Sequence, residues 1–433
     1  MKRFYGLLGV VALGALMSAT AQVSFTHIKS VDLSRYFPAN GRQGDLASDV
    51  AFDGSNLYIA GMSTANTTAA SVGVLKISNV LSLDVNSWTY TPLITLTQAG
   101  QSRSSYIVYR DGFLYLGTGL GATDDPNQPP NDAQTGIRKF DATTGTQISG
   151  WNSSGAVPGV VLPRDLSNST RAECIEIDPG YQGNNPSLAV LARGRGFIFR
   201  RDFATGGALA NILATPIPGC TGPNTTGMRD ITFSPEGDAY LRVDNSIFYA
   251  QRSGDNTVVD GNSTRIFNFC SDNPFQVLIN IHYLRTSRGD YLIYNRRTGD
   301  ANNRLNKVFV ASGSGANWSS YAEITGDEPL PDGNTPAAYT LDIFNFTSGF
   351  GTDPSKGDVN LDGVVDDADL LAILFEFGSS NAAVDVNSDG VVDDADLLTV
   401  LFNFGSSPQA QYLFIVHSTI GTDRLDIYRV DSN

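Results

Sequence analysis

The 433-residue chain predicts an all-β body built as a β-propeller, and three observations carry that expectation. From Val23 to about Phe350 hardly any segment shows a 3.6-residue apolar period, whereas short alternating runs rich in Val, Ile, Phe and Tyr are divided by Gly, Asn, Asp and Pro. These runs recur as one three-strand pattern at intervals of 48 to 68 residues, measured between the first-strand markers Asp49, Ser105, Glu173, Asp230, Leu278 and Asp342. The last copy of the pattern breaks off at an acidic segment and resumes beyond it. A blade-sized period of this kind marks a radial repeat, in which each unit buries its faces only against its neighbours.

In chain order, Lys2 and Arg3 precede an apolar run from Phe4 to about Met17 and then Ala19-Thr20-Ala21, the three-part layout of a secretory signal peptide. Residues 1–21 are therefore expected to be removed, giving a secreted, extracellular protein that starts at Gln22. The run is too short to span a bilayer, and no later stretch reaches the roughly twenty apolar residues that spanning requires. No cysteine lies beside the cleavage point, which argues against a lipid anchor.

The first two strands of successive units read SDVAFDGSNLYIAG from Ser48, SYIVYRDGFLYLGTG from Ser105, AECIEIDPG from Ala172 with SLAVLARG, and RDITFSPEGDAYLRV from Arg229. VLINIHYL with GDYLIYNRRTG forms the fifth pair, and AYTLDIFNF near Tyr339 opens the sixth unit. Third strands follow as VGVLKIS at Val72, GIRKFDATTG at Gly136, GFIFRRDFATG at Gly196, SIFYAQRSG at Ser246 and NKVFVASG. In the sixth unit the second and third strands, QYLFIVHS at Gln411 and RLDIYRVD at Arg424, come only after the acidic segment, and VSFTHIKSVDL at Val23 is left to close the ring as an outermost strand. Six blades of about 60 residues result, with seven left open. A β-sandwich would explain the strands but not their repetition, and the lack of helical periodicity excludes an α/β barrel. The expected division is 22–355 for the propeller, 356–407 for an insert in the last blade, and 408–433 for the closing strands.

The insert contains two near-copies, GDVNLDGVVDDADLLAILFEFG from Gly357 and VDVNSDGVVDDADLLTVLFNFG from Val384, which differ at four of the 23 positions from Asp358 to Ser380. Counted from Asp358, oxygen-bearing side chains fall at positions 1, 3, 5, 9 and 12 as Asp358, Asn360, Asp362, Asp366 and Asp369, with Gly363 at position 6. Asp385, Asn387, Asp389, Asp393 and Asp396, with Gly390, repeat that order 27 residues later. A hard cation needs six to eight oxygens on a tightly curved chain, and a glycine at the sixth position permits the curve. The spacing predicts two Ca²⁺ ions, with the carbonyls of Val364 and Val391 at position 7 completing the shells. A pair of metal-free acidic turns is the plainer alternative. Short apolar helices are expected over 369–377 and 396–404, stopped by Gly378 and Gly405.

These residues make the segment from Lys356 to Ser407 similar to a type I dockerin, a duplicated calcium loop and helix. The resemblance implies that the insert attaches a secreted protein to a cohesin-like partner, within assemblies that degrade polysaccharides. At positions 10 and 11, where many dockerins carry a Ser/Thr pair, this chain has Asp367-Ala368 and Asp394-Ala395.

The formal charge of −15 is concentrated here, since residues 356–407 hold eleven acids and one base. Acidity that reflects metal ligands argues against a nucleic-acid-binding surface. Three cysteines in an exported chain allow one disulfide and one free thiol; Cys220 with Cys270 is the expected pair, leaving Cys174 buried.

Within the propeller, Asp49, Glu173, Asp230 and Asp342 enter equivalent first strands, where a ring of carboxylates would bind a cation or act as acid and base across a sugar bond. The competing expectation is that they accept hydrogen bonds from backbone groups in adjacent turns. His27, His282 and His417 show no ligand spacing. Arg193, Arg195, Arg200 and Arg201 read as solvated residues of an outer strand or as a receiver for an anionic sugar. The loop 119–136, with Asp124, Asp125, Asn127, Asn131 and Asp132, lacks calcium-loop spacing, and Trp151 and Trp318 would stack on sugars if exposed. Two functions stay open: a non-catalytic interaction platform joined to a cohesin-like or cell-surface protein through the insert, and a carbohydrate-active propeller, either a glycan binder or a glycoside hydrolase or polysaccharide lyase.

Overall fold

The computed structural model describes residues 22–37, 39–40, 43–63, 72–95, 105–118, 136–153, 159–161, 172–192, 198–210, 212, 220, 228–254, 257–258, 263–270, 278–299, 304–324, 343–419 and 422–431. The expected leader 1–21, Asp342, Arg193, Arg195 and the acidic residues of loop 119–136 lie outside them.

Six antiparallel sheets make six blades. From the channel outward, blade one holds Gln43–Phe52, Leu57–Ser63, Val72–Ser78 and Thr89–Thr95, with the short strand Ala39–Asn40 paired to its inner edge. Blade two holds Ser105–Arg110, Phe113–Thr118, Gly136–Asp141 and Val160–Val161, and blade three Ala172–Asp178, Ser187–Ala192, Ile198–Arg201 and Ala208–Leu209. Blade four holds Met228–Phe233, Ala239–Val243, Ser246–Ala250 and Thr264–Asn268, and blade five Leu278–Thr286, Gly289–Gly299, Arg304–Ser314 and Asn317–Ile324. Blade six combines Ile343–Thr352, Gln409–Thr419 and Thr422–Asp431 with the N-terminal strand Ser24–Asp32, so the two ends of the chain share one sheet.

Alternation explains why the blades stack. Successive side chains of a strand point to opposite faces of its sheet, so each middle strand supplies two seams. In Leu57–Ser63, Leu57 and Ile59 pack toward blade six with Phe414, Val416 and Ile427, while Tyr58 and Ala60 pack toward blade two with Ile107 and Leu116. Four further clusters fill the seams two–three, three–four, four–five and five–six. Trp151, 1% exposed, fills the seam between blades two and three, and Trp318 lies edge-on to Tyr240 and donates from its indole to the Gly315 carbonyl. Neither indole is the exposed sugar platform that the sequence left open.

Polar residues reinforce the seams. Arg200 and Arg252 both pair with Asp178, the former at 2.8 Å, and all three are buried. Arg201 is also buried, so the expectation of solvated arginines on this strand is corrected for both. Cys220 and Cys270 form the disulfide, and Cys174 is free and buried.

Residues 353–408 lie between the first and second strands of blade six. They contain the turn Pro354–Lys356 and helices Asp367–Phe375 and Asp394–Asn403, packed around their own core of Val365, Ile373, Val384, Val386, Val392 and Val400. Both helices begin two residues before the expected start. Asp366 and Asp393 act as N-caps, and Asp369 and Asp396 return a bond to the cap backbone, completing two capping boxes.

Candidate functional site

Two regions gather the chemistry that the sequence singled out. The first is the pair of acidic loops. In each loop the position-1 carboxylate accepts the N–H of the position-6 glycine, Asp358 from Gly363 at 2.9 Å and Asp385 from Gly390 at 2.8 Å. Those glycines take φ of 92° and 95°, backbone that favours glycine because a Cβ is disfavoured there. Asn360 then accepts from Asp362 N–H and Asp362 from Val364 N–H, and Asn387 and Asp389 repeat both bonds with Asp389 and Val391. Asp369 accepts from the N–H groups of Val359, Asn360 and Asp366, as Asp396 does from Val386, Asn387 and Asp393. Every side chain expected as a ligand thus bends its own loop.

One oxygen is left over. Asp358 is fully buried, its Oδ2 accepts from Gly363 and from the Thr352 hydroxyl, and its Oδ1 has no partner. A buried carboxylate oxygen without a partner costs about 1–3 kcal/mol or more, and no basic residue is present from Gly357 to Ser407 to relieve it. Burial also raises the Asp369 carboxyl above its ordinary range, against the bonds from Asp366, Asn360 and Val359 that lower it, and the nearby Asp358 adds to the rise. A Ca²⁺ ion fits this donor set: it would take the spare Asp358 oxygen with the side-chain oxygens of Asn360, Asp362, Asp366 and Asp369 and the Val364 carbonyl. Among the described residues no three His, Cys, Asp or Glu side chains converge as a metal cluster by themselves.

The two halves are related by reciprocal backbone bonds. Val365 exchanges bonds with Gly405 and Ser406, and Val392 with Gly378 and Ser379, at 2.8–2.9 Å. This pairing exposes a feature the sequence reading passed over. Phe375 and Phe402 are each 83% exposed, and Leu371, Leu374 and Phe377 are matched by Leu398, Leu401 and Phe404 at close to half exposure. Ile373 and Val400 are the only apolar side chains that the two helices bury fully. The signal was present in sequence as two apolar stripes too wide for the one face that each short helix packs.

The second region is the channel. A cavity of about 200 Å³ is lined by all six innermost strands, including Asp49, Cys174, Glu176, Asp230, His282 and Asn345. Asp49 accepts from Val50 N–H and, across the seam, from Ile107 N–H of blade two, both at 2.8 Å. Asp230 accepts from Ile281 N–H of blade five at 2.7 Å, and Asn345 of blade six donates to the Ser48 carbonyl of blade one at 2.6 Å. The competing expectation for these acids therefore describes Asp49 and Asp230: they are clamps between blades. Glu173's side chain lies outside the described residues. Glu176, three residues on, is the carboxylate that lines the cavity in blade three, and its spacing of two from Cys174, which also lines it, was the clue in AECIEID.

Burial pushes these carboxyls up, Glu176 to about 7 and Asp230 to about 6, in each case against a backbone hydrogen bond that lowers it. It pushes Asp49 well above the ordinary range, raises the Cys174 thiol and lowers His282 to about 4, so the imidazole is neutral at pH 7. His282 shares a 2.8 Å hydrogen bond with Ser348, and His27 one of 3.0 Å with Ser30. The cavity is smaller than the roughly 300–1,000 Å³ of a typical small-molecule site.

No family model and no curated protein matches the chain. Among solved structures, a luciferin-regenerating enzyme aligns at 9% identity and a TM-score of 0.39, covering 68% of this chain and 80% of that one. An auxiliary nutrient binding protein from Bacteroides thetaiotaomicron aligns at 11% identity and 0.40, covering 70% of this chain and 65% of that one. The six-bladed architecture rests on the strand pairing above.

Proposed function

We propose that this chain is an exported calcium-binding protein whose propeller is a non-catalytic interaction platform, attached or assembled through a dockerin-like insert. The observation that carries the reading is the fully buried Asp358 with its unpartnered oxygen, in a loop whose fold is repeated around Asp385. A divalent cation satisfies that oxygen and offsets eleven acids that share the insert with a single base, Lys356. The duplicated apolar face around Phe375 and Phe402 supports a protein partner, of cohesin-like or cell-surface type, over a glycan, because large contiguous apolar patches are uncommon on surfaces that meet only water. In the channel, the bonds from Ile107 to Asp49 and from Ile281 to Asp230 weigh against an acid–base pair acting on sugar.

Equilibrium dialysis of the mature protein against Ca²⁺ tests the reading. Two ions per chain are expected, falling to one in Asp358→Ala and in Asp385→Ala; no stoichiometric uptake by the wild type would refute it. Pull-down from a cell-surface fraction should give capture that is lost with chelator and with Phe375→Ser combined with Phe402→Ser.

A further inference from the structure

The two loops are almost the same sequence in different surroundings. Leu361, at position 4 of the first loop, packs against the apolar cluster shared by blades one and six, although its φ of 64° is a backbone conformation that leucine seldom adopts. Its counterpart Ser388 has φ of 58° and is exposed. This pair is one of the four differences between the copies.

A second tether has no equivalent in the other loop. Thr352, the last residue of blade six's innermost strand, donates its hydroxyl to Asp358. Its carbonyl accepts the Tyr412 hydroxyl from the next strand at 2.9 Å, and the following residue, Asp353, donates its N–H to the Pro408 carbonyl at 3.0 Å. Twenty-seven residues on, Ser379 occupies the place of Thr352, and its hydroxyl goes to Glu376 at 3.1 Å. Asp385 instead has both oxygens engaged within its own loop, by Gly390 and Asp389. Both tethers of the first loop end on blade six or on its seam with blade one, where the N-terminal strand closes the ring.

We propose that, of the two loops, only the first is fastened to the propeller, so that calcium held by Asp358 and its neighbours governs how firmly blade six closes the ring, while the second loop binds its ion independently of the blades. The proposal rests on the calcium reading above. A cation that orders the first loop fixes Leu361 in its left-handed conformation and holds Asp358 against Thr352. Without it the loop is free to relax to ordinary backbone angles, and Leu361 withdraws from the seam.

Hydrogen exchange on the full mature chain, run beside a calcium count, tests this. In the wild type, chelation should quicken exchange in Gln409–Thr419 and Gln43–Phe52 by up to about 100-fold, the factor by which calcium at a hundred times its Kd favours the bound state. Exchange in Ser187–Ala192 of blade three should stay unchanged. With calcium present, Asp358→Ala should reproduce the loss of protection and Asp385→Ala should not. Leu361→Ser should keep two ions and lose most of the calcium dependence in blade six. Two bound ions with blade six indifferent to chelation, or equal effects of the two alanine variants, would overturn the coupling and leave the calcium reading standing. No bound ion in the wild type would overturn both.

Discussion

The channel and the insert both place acidic side chains at repeated positions, and they use them in opposite ways. In the channel, Asp49 and Asp230 reach across a seam to a backbone N–H of the next blade, and at the rim of the seam between blades three and four Asp178 is neutralised by Arg200 and Arg252. In the insert, the acids bend their own loops, no arginine or lysine follows Lys356 before Ser407, and one buried oxygen of Asp358 has no partner. A carboxylate whose partner is built into the fold is a structural joint; one left without a partner is open to a ligand from solution. Repetition of an acid in sequence therefore says nothing of its role until the opposing group is known.

That contrast can be broken by experiment. The largest effect should come from Arg252→Met, which removes one of the two cations beside fully buried Asp178. Breaking such a pair typically costs about 3–5 kcal/mol, and calcium should recover none of the loss in thermal unfolding. Next is calcium removal, worth about 2.7 kcal/mol per ion when the ion is a hundredfold above its Kd. Calorimetry with chelator should move an insert transition downward and leave the main propeller transition in place; one transition indifferent to chelator would erase the distinction between the regions.

Smaller effects sharpen the comparison. Asp49→Ala and Asp230→Ala each strand a buried N–H of the neighbouring blade, a loss of about 1–3 kcal/mol in urea unfolding. The asparagine variants should lose less, since an amide oxygen still accepts. The smallest effect concerns pH and differs in sign between regions. Glu176 and Asp230 titrate higher in the folded chain than when unfolded, near 7 and 6, because burial disfavours their charged forms. Their contribution to stability is then full below about pH 4 and is lost as pH rises toward 7. Calcium binding runs the other way, since its ligands must be deprotonated. Chelator-treated protein should melt at a lower temperature at pH 7.5 than at pH 5, with a flatter slope in Glu176→Gln, whereas calcium should protect the insert better at the higher pH.

Much of the fold was legible in sequence because its causes are local. The short apolar runs in SDVAFDGSNLYIAG and RDITFSPEGDAYLRV, such as Leu57-Tyr58-Ile59-Ala60, reflect strands buried on both faces, and the interrupted last unit pointed to Gln411 and Arg424 as the resumed strands, which pair as Gln409–Thr419 with Thr422–Asp431. The turn around Gly363 was readable too, since a glycine is needed wherever the chain curves through positive φ. The helix starts were missed by two residues because Asp366 and Asp393 were read as ligands and not also as caps.

Amino-acid order alone therefore determined the repeat, the sheet-forming segments and the curvature of two acidic loops, all of which depend on residues within a few positions of one another. Which acids found partners was decided by contacts between residues tens to hundreds of positions apart. Asp49 meets Ile107, Asp178 meets Arg252, and Leu361 meets a cluster that includes Leu57 and Phe414. Burial is a property of the closed ring: only when blade six meets blade one do two nearly identical loops acquire different surroundings.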